Sequence, residues 1–87
     1  MKAYVNVETK PGTAIQFVKR MRERNKEIIS ADPIYGSFDA ILVVEAPTID
    51  DIDQIVYTIV QLDQNVTRTE TSLVMGIRDT KQNENRQ

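Results

Sequence analysis

Apolar residues in this chain repeat with two periods, in an order that leaves few folds open. Ala3, Val5 and Val7 alternate with Tyr4, Asn6 and Glu8, the period of a strand with one face buried. Pro11-Gly12 ends that segment. Ile15, Val18 and Met21, with Phe17 beside them, then recur at helical spacing and predict a helix to about Arg24. Thr13-Ala14-Ile15-Gln16 at its start has the form of a capping box, in which the hydroxyl accepts from the third helical amide and Gln16 reaches back. Residues 27–35 read as a second strand. Pro33 cannot donate to a ladder, which places this strand at an edge or a bulge. After a turn at Tyr35-Gly36-Ser37-Phe38-Asp39, residues 40–44 form a continuous apolar run. Ala40, Leu42 and Val44 point one way and Ile41 and Val43 the other, so both faces of this strand are expected to be buried.

Ala46-Pro47 stops the third strand. Thr48 is placed as an N-cap, with Asp50, Asp51 and Asp53 against the positive end of a second helix dipole. Ile49, Ile52, Val56 and Ile59 follow at helical spacing, flanked by Ile55 and Leu62. Propensity favours strand over the β-branched residues 55–60, but cap and period together favour helix. Residues 66–75 are the last strand, with Thr67, Thr69, Thr71, Leu73 and Met75 on one face. Residues 78–87 contain no apolar side chain, so they are expected to form a disordered polar tail after a single domain over 1–77. The order is β-α-β-β-α-β, an α+β ferredoxin-like sandwich. Two helices on one face leave the other face of the sheet bare and partly apolar, which predicts sheet-to-sheet dimerisation.

Composition removes whole classes of function. With 87 residues the core is modest, and small domains need a further source of stability. There is no Cys and no His. A disulfide, a zinc finger, the usual haem ligation, a thiolate nucleophile and a Ser-His-Asp relay are therefore excluded. Oligomerisation remains. No run of about 20 apolar residues could span a membrane, and the N-terminus has no apolar signal region, so the expected compartment is the cytoplasm. The net charge of -2 hides an asymmetry: residues 1–26 carry seven Lys/Arg against Glu8 and Glu23. Lys19, Arg20, Arg22, Arg24 and Lys26 could meet nucleic acid. The simpler reading makes them the wet face and C-terminal end of the first helix, where cations suit the dipole.

The polar residues offer several candidates. Asp50, Asp51 and Asp53 could hold a hard cation or exchange protons, although carboxylates at a helix start are first of all dipole partners. Asp32 and Asp39 flank the turn. A carboxylate there can catch an ammonium group or simply shape the turn. Gly36 suits a positive-φ position and lets a ligand approach the backbone. Thr69 and Thr71 can pair across strands or bind a polar ligand at a subunit contact. The aromatic residues Tyr4, Tyr35, Tyr57, Phe17 and Phe38 are too scattered for a base-stacking platform.

Taken together, these segments resemble the C-terminal effector-binding (RAM) domain of the Lrp/AsnC, or feast/famine, transcription regulators. The resemblance rests on Ala3-Tyr4-Val5-Asn6-Val7 followed by Pro11-Gly12 and on Tyr35-Gly36-Ser37-Phe38-Asp39, which is similar to the family's Gly-x-aromatic-Asp signature. Leu42-Val43-Val44-Glu45-Ala46 and Val66-Thr67-Arg68-Thr69-Glu70-Thr71 complete it, so that it spans about residues 3–76. It implies a dimeric α/β-barrel arrangement, octamer-like rings of dimers, and a free amino acid or similar small molecule bound between dimers without metal or cofactor. Tyr35, Gly36, Ser37, Phe38 and Asp39 would form the effector loop, and Thr69 and Thr71 the other wall. Asp39 would take the ligand's α-ammonium and free backbone amides its carboxylate. The family's regulators carry a helix-turn-helix domain before the first strand, whereas Met1 abuts that strand here. The chain is therefore expected to be a stand-alone form or an excised domain that does not read DNA directly and acts on full-length regulators. A second departure is the entry to the second strand, where Asn25-Lys26-Glu27 replaces a Gly-Val-like pair and Asp32-Pro33 interrupts. Two further readings stay open: a small dimeric α/β-barrel enzyme using carboxylates and Tyr, and a purely structural assembly subunit.

Overall fold

In the computed structural model, which describes residues 1–76, four strands and two helices follow the order read from the periods. They are β1 (Lys2–Thr9), α1 (Ala14–Arg22), β2 (Ile28–Pro33), β3 (Ala40–Glu45), α2 (Ile49–Ile55) continuing as a π-helical segment (Val56–Gln61), and β4 (Val66–Leu73). The sheet order is β2-β3-β1-β4 and all three pairings are antiparallel. This is the ferredoxin-like α+β arrangement. The expected tail at 78–87 lies outside the described residues.

The core lies on one face only. Ala3, Val5 and Val7 of β1 and Ala40, Leu42 and Val44 of β3 meet Phe17, Val18 and Met21 of α1 and Ile52, Val56 and Val60 of the second helix. The expectation that both faces of β3 are buried is corrected. Ile41 and Val43 are only half-buried, because among the described residues no element covers their side of the sheet. Tyr4, opposite Val43, is 39% exposed there.

The two helix starts behave differently. Thr48 caps α2 by accepting from the Asp51 amide at 3.1 Å, and its hydroxyl donates to Asp51 Oδ2 at 2.9 Å. The capping box expected at α1 does not form: the Thr13 hydroxyl donates instead to the Lys10 carbonyl at 2.7 Å and makes no cap bond. Thr13 sits at φ -114°, ψ 3°, a turn conformation closing on Lys10, rather than the extended one that aims a cap oxygen at the helix.

The π-helical segment was not expected. Ile52, Val56 and Val60 are buried at strict four-residue spacing. On an α-helix residues four apart drift round the axis by about 40° per step, and the wider turn of a π-helix reduces that drift. The Thr58 hydroxyl donates to the Gln54 carbonyl at 2.6 Å, a back-bond of the kind that bends helices. Both edge strands are irregular. The β2–β3 register shifts between Ile28 and Ser30. In the β1–β4 pair it shifts between Glu8 and Thr9. Thr67 is the extra residue there, and its hydroxyl is 3.1 Å from the Glu8 carbonyl. Beyond this bulge Thr69, Thr71 and Leu73 stand opposite Val7, Val5 and Ala3 and share one face.

Candidate functional site

Asp39 is the most closely held residue of the predicted loop. Its amide donates to the Val7 carbonyl at 2.9 Å and its own carbonyl accepts from Ile34 at 3.0 Å. These bonds carry the sheet one residue beyond the Val7–Ala40 pair. Its Oδ2 then accepts from the Thr9 amide at 2.9 Å and lies 3.5 Å from the Thr9 hydroxyl. A side chain thus satisfies a strand-end amide that backbone pairing leaves over. Oδ1 accepts no hydrogen bond among the described residues. A pocket of about 330 Å³ next to the turn is lined by Ala14, Ile15, Pro33, Ile34, Tyr35 and Asp39.

The rest of the loop is open. Gly36 has φ +137°, in the region that disfavours side chains, and a Cβ there would meet nothing within 4 Å. The amides of Tyr35, Gly36, Ser37 and Phe38 donate to no partner among the described residues. Tyr35 is fully exposed at 105%, and Ser37 is exposed as well. Phe38 turns away from the pocket: the Arg68 guanidinium lies 4.6 Å from its ring centroid, a cation–π contact.

Among the described residues Thr69 and Thr71 make no hydrogen bond to this loop, although Phe38 reaches Arg68 on the same strand. The turn connects β2 to β3, whereas both threonines are on β4, across β1. Thr69 Oγ1 accepts from Gln61 Nε2 at 2.9 Å, so its hydroxyl proton is free to be donated elsewhere. That pair borders a separate pocket of about 280 Å³ with Val66, Thr67 and Arg68. Gln61 and Thr9 escaped sequence reasoning. Gln61 lies in the unexpected π-helical segment, and Thr9 falls between the alternating residues and Pro11-Gly12, where its residue type carries no signal.

The other candidates resolve into structural partners. Asp32 faces Arg22 at 3.0 Å and does not converge with Asp39. Among the described residues no group of carboxylates is arranged to hold a metal. Arg20, Arg22 and Arg24 each face a carboxylate. The best-built pair is Arg20–Asp63, with two bonds of 2.9 and 2.8 Å. The Asp63 side chain is 8% exposed, and Oδ1 also accepts from the Asn65 amide at 2.9 Å. Burial pushes the Asp63 carboxyl up. The hydrogen bond from Arg20, the Asn65 amide and the Arg20 charge outweigh that and hold it below the ordinary value. Chiefly through the same hydrogen bond, Arg20 is raised.

The sequence profile of the Lrp/AsnC ligand binding domain matches residues 2–84. The chain belongs to that family. Its fold is shared with solved structures of low sequence identity. A hypothetical protein from Pyrococcus horikoshii, PHS023, superposes with a TM-score of 0.79 at 22% identity, over 90% of this chain and 93% of that one. TTHA0845 from Thermus thermophilus gives 0.80 at 18% identity, over 88% and 95%. The transcriptional regulator NMB0573 from Neisseria meningitidis, solved as a complex with L-Met, gives 0.73 at 15% identity, over 88% of this chain and 51% of that one. No curated protein sequence matches. Within the Lrp/AsnC family this domain is a regulatory ligand-binding unit, and no described helix is long and apolar enough to cross a membrane.

Proposed function

We propose that this Lrp/AsnC domain is an amino-acid-binding effector module with no catalysis of its own. It dimerises through the open face of its sheet, assembles dimers into a ring, and holds its ligand between dimers, where binding modulates full-length regulators of the same family. The observation that carries this reading is the pairing at one turn of a carboxylate oxygen on Asp39 with four amides at 35–38, all without a partner among the described residues. A free amino acid presents the complementary pair, an ammonium and a carboxylate. The distance across the sheet between that turn and Thr69 and Thr71 supports an interface site, since a second copy can bring its own β4 to the loop. The L-Met complex of the Neisseria regulator supports an amino acid as the ligand class.

The test is a calorimetric and thermal-shift titration with each of the common amino acids, with sedimentation run in parallel. At least one is expected to raise the melting temperature at millimolar concentration, because a ligand that binds only the folded state stabilises it by mass action. If none does, the free-amino-acid reading fails. Assembly into a ring without ligand and unchanged in Asp39→Ala would favour a structural subunit instead.

A further inference from the structure

We infer a second ligand site on this domain, in its helix layer and apart from the loop at 35–39: a pocket for a small organic carboxylate with a short apolar tail. The pocket, of about 280 Å³, lies between the end of α1 and the end of the π-helical segment. The basic stretch at 19–27, with five Lys/Arg against Glu23 and Glu27, supplies its positive charge through Arg20 and Arg24. Arg20 is already oriented. Its Nε and Nη2 donate to Asp63 at 2.9 and 2.8 Å. A guanidinium is planar, so a carboxylate seated on that edge leaves Nη1 directed the opposite way. The Asp63 side chain is 8% exposed and that of Arg20 37%, so Nη1 points outward from a buried partner. It makes no hydrogen bond among the described residues. The ion pair has already removed the side chain's rotamer freedom, so an oxyanion that binds Nη1 orders little more. Arg24 is the second cation. It faces Glu27 at 3.6 Å with no hydrogen bond, a weak surface pair that yields to a better acceptor. Glu23 also lines the pocket, but it is exposed, and solvent and salt screen its charge. The apolar part of the wall is Met21, Ile59 and Leu62. Leu62 is 62% exposed, so a tail laid against it removes apolar surface from water. Inorganic phosphate would leave that surface wet, which favours an amphipathic carboxylate. The volume falls just below the usual range for drug-sized ligands, about 300–1,000 Å³, and suits a tail of a few carbons.

The experiment titrates the whole chain with 4-methylpentanoate by calorimetry and by amide chemical shifts in NMR. Binding at millimolar concentration is expected, at least about tenfold tighter than that of the uncharged 4-methylpentanamide. Acetate, which keeps the carboxylate and loses the tail, should also bind at least about tenfold more weakly. The amides that shift are expected at 20–24 and 58–63, with those at 35–39 unmoved. Arg24→Gln and Leu62→Gln, both at exposed positions outside the core, should each weaken binding severalfold with native circular dichroism. Absence of binding would overturn the inference, and so would equal affinity for the acid and its amide. Shifts confined to 35–39 would overturn it by placing the carboxylate on the turn. Full affinity in both variants would overturn it by moving the site off this pocket. Each of these results leaves the effector reading standing, because that reading shares no residue with this pocket.

Discussion

Asp39 has two tasks that substitutions can separate. One oxygen closes the end of the β1–β3 ladder on the Thr9 amide, and under the proposed function the other would take the ligand's ammonium. Asp39→Asn keeps an acceptor for Thr9 and removes the charge. It is expected to bind ligand at least tenfold more weakly at nearly unchanged stability. Asp39→Ala removes the acceptor as well and leaves the amide of Thr9, a residue only 7% exposed, without its partner. This should lower the unfolding free energy by about 1–3 kcal/mol in a urea titration. Gly36→Ala tests the turn separately. Space is available for the methyl group, so the whole effect comes from φ +137°, a cost of about 1–3 kcal/mol. Equal stability of the two chains would show that the turn adopts another conformation in solution.

At the scale of elements, Thr48 and Thr13 make a matched pair. Both precede a helical apolar period, and the sequence marks both as caps. Only Thr48 accepts from its helix. Thr48→Ala is therefore expected to cost about 1 kcal/mol, and Thr13→Ala to stay within about 0.5 kcal/mol, both read from urea midpoints at constant slope. The difference was not legible because capping needs an extended backbone as well as a hydroxyl, and the Pro11-Gly12 turn imposes another conformation on Thr13. The π-helical segment was hidden for a related reason. The spacing of Ile49, Ile52, Val56 and Ile59 identified a helix and fits an ordinary one, whereas the set that is buried is Ile52, Val56 and Val60. The two chain segments tied by Arg20–Asp63 are 43 residues apart, and nothing local pairs them. Its signature is a pH dependence. The carboxyl is held below its ordinary value, so its contribution to stability is fully present above about pH 4. It is lost as the pH falls through the lowered native value. Replacing Asp63 with Asn should lower stability at neutral pH and flatten the acid limb of a stability-versus-pH curve. An acid limb of unchanged slope would show that other carboxylates set it.

For the molecule as a whole, the order of elements and the core-facing residues of β1 were legible because burial on one face imposes period two, whereas the continuous apolar run of β3 does not show which of its faces meets the helices. The site was legible only in parts. The turn and the threonines could be named, but their separation by β1 is a property of strand order, which residue types do not encode. Under the proposed function, that separation together with the open face of the sheet would make oligomerisation the condition for a complete site. The open face presents Tyr4 opposite Val43 and Asn6 opposite Ile41, with Glu8 and Arg68 toward one end. Apolar surface is central and charge peripheral, the distribution found at protein interfaces. Tyr4→Glu places a charge at that centre without touching the core, since Tyr4 is already partly exposed on the face opposite the helices. The variant is expected to sediment as a monomer with native circular dichroism and to lose amino-acid binding together with assembly. Assembly and binding that both survive Tyr4→Glu would move the dimer contact to another surface. Binding that survives in a monomer would show instead that one chain completes the site alone, with the apolar pocket at Asp39 sufficient to hold the ligand.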